Sequence, residues 1–144
     1  MKRQGSKFPL ETERNRSLLK SFRELFPLCD SLDLSFYQRI ADSPTERFWV
    51  TEERATLVVL AMLKGAHLSN MLGTKAEMYE EIYHRYLELR KQRPGQPVSL
   101  LVGEIVNQPA PRFYMAAKSV REIIYRLKRK CYEETKKRLR HQLG

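Results

Sequence analysis

The chain has 144 residues, 42% of them hydrophobic and 31% charged, enough for one compact domain with a real core. No apolar run approaches the roughly 20 residues of a membrane-spanning helix. The start, MKRQGSKFPLETER, lacks the apolar stretch of a signal peptide, so a cytoplasmic protein is expected. The net charge of +10 is concentrated at the carboxyl end. Residues 116–144 hold ten Lys or Arg against Glu122, Glu133 and Glu134, a net of +7; the first 115 residues hold seventeen basic and fourteen acidic side chains, a net of +3. Such a basic block points to a polyanion or an acidic partner.

Residues 1–11 read as a flexible basic arm. A first helix is predicted over 12–26, with Leu18, Leu19, Phe22, Leu25 and Phe26 on one face, stopped by Pro27. A short helix follows over 33–42, closed by Pro44. Thr51 suits an N-cap, with Glu52 and Glu53 at the positive end of a third helix that Gly65 terminates. Thr74-x-x-Glu77 has the form of a capping box before MYEEIYHRYLELRKQ, which ends at Pro94-Gly95. Ser99 is placed to cap a short helix reaching Val106, and the last helix runs from about Ala116 to Gln142 without Gly or Pro. No segment alternates like a strand.

The two halves resemble each other. At an offset of 65, Ile40 meets Ile105, Pro44 meets Pro109, and Arg47-Phe48-Trp49 meets Arg112-Phe113-Tyr114. Val58-Val59 meets Ile123-Ile124, and Met62 meets Leu127. At offset 64 the first helices align too, with Phe22 on Tyr86 and Glu24-Leu25 on Glu88-Leu89; a one-residue loop change explains the slip. The expected fold is therefore all-α: two tandem three-helix, helix-turn-helix-like units, 12–73 and 74–144, packed as one domain with a long carboxyl-terminal helix. The paired PAPRFY-type phrases, over residues 40–65 and 105–130, resemble those of small uncharacterised bacterial proteins with turn-helix motifs. That resemblance brings no activity with it.

A short helix, a turn and a longer basic helix are the parts of a helix-turn-helix unit. In the last helix Val120, Ile123, Ile124, Leu127 and Cys131 form an inward stripe. Lys118, Ser119, Arg121, Arg126 and Arg129 lie off it as candidate nucleic-acid contacts. In the turns, Arg47 and Arg112 are placed to meet phosphate while Trp49 and Tyr114 stack on bases; alternatively, the Phe residues plug the core and the Arg residues brace the loop. The turn QPAPRFYMA is longer than the usual 3–4 residues. Tyr125, Tyr132, Leu139 and Leu143 form a second stripe, open to a protein partner or a second copy, or else resting on the same chain.

Cys29 and Cys131 are expected as reduced thiols, and His67, His84 and His141 stand singly, so no metal or cofactor is expected. No catalytic grouping or Gly-rich phosphate loop is present, so the chain is not expected to be an enzyme. The leading expectation is a DNA-binding accessory or regulatory protein, double-stranded DNA ahead of RNA. The alternative is a helical adaptor that binds another protein through its carboxyl-terminal helix.

Overall fold

A computed structural model of the chain describes residues 4–68, 71 and 73–143, with side chains from residue 9 onward. The described residues form six helices and a single 3-10 turn. Helix α1 spans Gln4–Leu25 and passes into the 3-10 turn Phe26–Leu28. Then come α2 (Leu34–Ala41), α3 (Glu52–Leu63), α4 (Gly73–Gln92), α5 (Val98–Val106) and α6 (Ala117–Leu143). Among the described residues no helix is long and apolar enough to cross a membrane.

Local chemistry sets most of the boundaries. The Asp33 carboxylate accepts from the Phe36 amide and caps α2; the Thr51 hydroxyl accepts from the Arg54 amide and caps α3. Gly65 ends α3 in the left-handed region, at φ +95°. Three expectations are corrected. Residues 4–11, expected as a flexible arm, are helical, although Pro9, the sixth residue of α1, has no amide hydrogen to donate to the Gly5 carbonyl. Thr74 lies inside the first turn of α4 and does not cap it. At α5 the N-cap position belongs to Pro97, whose φ of −60° and ψ of 145° lead into the helix, and Ser99 lies inside it.

The larger correction concerns packing. The helices that share a core are not the consecutive triplets. One core joins α1, α2 and α6 through Leu18, Phe22, Phe36, Tyr37, Ile40, Phe113, Val120 and Ile124. The other joins α3, α4 and α5 through Phe48, Val58, Val59, Ile82, Tyr86, Leu101 and Ile105. Among the described residues α2 does not pack on α3, nor α5 on α6; α6 packs chiefly on α2, and α3 on α5. The two long turns carry the third helix of each run across to the other core.

Those turns meet where they cross. Thr45 and Ala110 form an isolated antiparallel bridge, the Thr45 amide donating to the Ala110 carbonyl (3.0 Å) and the Ala110 amide to the Thr45 carbonyl (2.9 Å). The Phe48 amide donates to the Val106 carbonyl (3.0 Å), and the Phe113 amide to the Ala41 carbonyl (2.8 Å). Adding 65 to 48 and to 41 gives 113 and 106, so the second bond is the first with the partners' roles exchanged. Past the crossing each Phe drops fully into a core, Phe48 against α3–α5 and Phe113 against α1, α2 and α6.

Candidate nucleic-acid interface

Helix α6 is the element on which the candidate residues sit. Its first turns are held by Val120, Ile123 and Ile124, all buried, with Leu127 half-buried beside them. Cys131, expected to continue this stripe, is exposed, because the helix has passed the edge of the core by then. From Lys128 to Leu143 every residue is exposed. At 1.5 Å per residue this free stretch is about 24 Å long.

Lys118, Ser119, Arg126 and Arg129 are exposed, and Arg121 is half-buried. They do not share one face. At about 100° per residue, Lys118 and Arg129 point nearly opposite Val120, while Arg121 and Arg126 lie about 140° apart on the two flanks. Arg121 faces α2, near enough to Tyr37 to oppose the upward shift that burial, and then Tyr125, impose on that hydroxyl. Arg126 faces α1, where it adds to the lowering of Arg14 that burial chiefly causes.

Among the described residues, no salt bridge involves α6. Residues 128–143 carry Lys128, Arg129, Lys130, Lys136, Lys137, Arg138 and Arg140 against Glu133 and Glu134, seven minus two for a net of +5. The candidate contacts legible in the sequence end at Arg129, although the length of the helix already signals a projecting end. The second apolar stripe does not rest on the rest of the chain beyond its first member. Tyr125 meets Tyr37 edge-on, at 6.3 Å between ring centres, and Tyr132, Leu139 and Leu143 are 64%, 52% and 88% exposed.

The turn residues are braces. The Arg47 guanidinium donates to the Phe48 carbonyl (3.0 Å), the Val50 carbonyl (2.9 Å) and Asn107 Oδ1 (3.1 Å). Arg112 reaches the matching residue on the other side, Asp42, at 3.8 Å, with Glu77 at 3.9 Å. A guanidinium between two carboxylates is poorly placed to meet a phosphate. Tyr114, expected to stack on bases, is half-buried with its ring stacked on Phe48 (6.1 Å between centres). Burial first, and Glu81 next, raise its hydroxyl pKa. Its backbone adopts φ +60°, a conformation uncommon for any residue but Gly. Trp49 donates from Nε1 to Thr45 Oγ1 (2.9 Å) and packs against the α1–α2–α6 core.

Beneath Trp49 lies a polar knot. The Ser17 hydroxyl donates to Glu46 (2.7 Å) and lies 3.1 Å from the Thr45 hydroxyl, which itself donates to Glu46 (3.1 Å). The Ser17 bond is the main reason the Glu46 carboxyl is held below its ordinary pKa. Among the described residues no group of three His, Cys, Asp or Glu side chains could hold a metal ion.

The helix-turn-helix expectation meets a physical obstacle. Such a unit needs its bracing helix packed on the following reading helix. Here α5 and α6 are separated by the ten residues 107–116 and sit in different cores, so the brace of α6 is α2. No family model, curated protein or solved structure matches the chain.

Proposed function

We propose that this protein binds nucleic acid, double-stranded DNA in the first place, as a non-catalytic accessory or regulatory factor. The observation that carries the reading is helix α6: ten basic side chains from residue 118 on, no salt bridge to any of them among the described residues, and an apolar stripe that anchors only its first turns. Lys and Arg without a carboxylate partner, on a helix whose first turns are anchored in a core, are what displaces counterions from a phosphate backbone. We infer further that the chain is a duplicated three-helix segment whose third helices have changed places. The offset of 65 that relates the two sequences also relates the hydrogen bonds at the crossing and the Arg47–Asn107 and Arg112–Asp42 pairs.

The test is fluorescence anisotropy with a labelled DNA duplex across a salt series. Affinity should fall log-linearly with salt, with a slope of about −0.9 for each phosphate contacted. Binding that ignores salt, or no binding at low salt, overturns the reading. The second reading, a protein adaptor, is favoured by the exposure of Tyr132, Leu139 and Leu143. It requires capture of a partner that survives nuclease treatment.

A further inference from the structure

The two exchanged helices end differently. Helix α3 stops at Leu63, once Val58 and Val59 have been buried; the matching position in α6 is Lys128, and α6 continues to Leu143. Nothing in either core requires the extra length. Beyond Lys128, whose ammonium lies 4.7 Å from the Phe22 ring centre, the stretch is held by local propensity and is marginal as a helix in water.

The surplus has a definite pattern. At about 100° per residue, Tyr132, Leu139 and Leu143 fall within about 40° of one another, with Tyr125 on the same line. Lys128 and Lys136 lie about 40° to either side of Tyr132, Arg129 and Arg140 a little further round, Arg138 on the opposite flank, and Lys130 and Lys137 towards the back. The Lys136 ammonium already lies 5.1 Å from the Tyr132 ring centre. Lys and Arg that border an apolar face keep their charged heads at its rim, where they pair with whatever lies along the flanks. Here cations stand on both sides of the apolar line, so an occupant that is anionic along both flanks suits it. DNA presents phosphates along both flanks and base edges in front. The major groove of B-form DNA is wide enough, about 12 Å, whereas that of A-form RNA is too narrow for side chains to read.

We propose that residues 128–143 form a DNA-reading arm that enters the major groove lengthwise, its flanking Lys and Arg on phosphates of both strands and Tyr132, Leu139 and Leu143 towards the base edges. This rests on the nucleic-acid reading and moves its centre from Lys118, Arg121 and Arg126 to the far half of the helix. The arm becomes firmly helical on binding, which costs affinity but lets it follow the groove.

The test uses the full chain with a labelled 20-bp DNA duplex and an A-form RNA duplex of the same length. One variant carries Lys136→Gln, Lys137→Gln, Arg138→Gln and Arg140→Gln. A second carries Lys118→Gln, Arg121→Gln and Arg126→Gln. A third removes equal charge elsewhere, with Lys20→Gln, Lys64→Gln, Lys75→Gln and Lys91→Gln. The arm variant should lose at least about 30-fold in DNA affinity and flatten the salt slope by two to four phosphate contacts at about 0.9 each. The remote variant should lose only a few-fold, and DNA should be preferred to RNA by at least about tenfold. Leu139→Gln should weaken binding with the salt slope unchanged, and helical circular dichroism should rise on adding duplex. If the Lys118 set costs more than the arm set, or RNA binds equally, the arm proposal falls while nucleic-acid binding stands. If the unaltered chain binds neither duplex, both fall. Melting curves of each variant separate loss of the arm from loss of the fold.

Discussion

Helices α3 and α6 hold equivalent places in the sequence and are opposites in character. Helix α3 begins at a hydroxyl cap with two glutamates in its first turn, buries Ala55, Val58 and Val59, and ends at a left-handed glycine. Helix α6 buries its early apolar stripe in the same manner, then leaves the core and carries a net +5 into solvent. What the two share is what the fold needs from a third helix. What α6 has in addition is the exposed stretch 128–143, whose Lys and Arg form no salt bridge among the described residues.

The turns invite the same contrast. Arg47 satisfies two carbonyls and a carboxamide and is wholly occupied by the fold. Arg112 keeps two long ion pairs at half-exposed carboxylates and lies 6.0 Å from the Tyr114 ring centre. The first turn is a closed structural joint, and the second is looser, with the strained Tyr114 backbone beside it.

The largest effect should come from the two plugs. Phe48→Ala and Phe113→Ala should each cost about 3–5 kcal/mol in chemical denaturation, since both rings are fully buried. Each should lower one shared transition, because every core borrows a helix from the other run. Two separate transitions, with only one displaced by each substitution, would mean that the cores are independent units. Next comes the contrast between the arginines. Arg47→Ala should cost about 1–3 kcal/mol, because the Phe48 and Val50 carbonyls lose their guanidinium donor. Arg112→Ala should cost less than about 1 kcal/mol, as half-exposed pairs do. Equal losses would erase the distinction between the joints.

The smallest expected effect is with acid. The hydroxyls of Ser17 at Glu46, and of Ser35 at Asp33, hold both carboxyls below their ordinary pKa in the folded chain. The folded state thus binds fewer protons there. These groups contribute full stability above about pH 4.5, the ordinary carboxyl range, and lose it as pH falls through their lowered folded values. Melting temperatures taken from pH 7 down to pH 3 should fall less steeply for Glu46→Gln than for the unaltered chain. Parallel curves would show that the knot beneath Trp49 adds nothing to acid sensitivity.

The sequence by itself determined the helices, because their causes are local. Apolar residues at helical spacing, the carboxylate of Asp33, the hydroxyl of Thr51, and the breakers Pro27, Gly65 and Pro94-Gly95 act within a few residues of themselves. It missed the first eight residues of α1, which Pro9 argued against, and the starts of α4 and α5 by a residue or two, since Thr74 and Ser99 suit a cap and a first turn almost equally well. It also showed the matched turns, and with them that Phe48 and Phe113 serve alike. Only the tertiary structure decided which helices share a core. A stripe such as Val58-Val59 or Ile123-Ile124 states that a face must be buried, but is equally satisfied by either apolar pair of helices. The choice rests on the crossing at Thr45 and Ala110 and on the reach of each turn. The same long-range geometry decided the fate of the candidate contacts. It placed Arg112 between Asp42 and Glu77, covered Tyr114 with Phe48, and left residues 128–143 outside both cores, because burial and pairing depend on what the rest of the chain brings alongside.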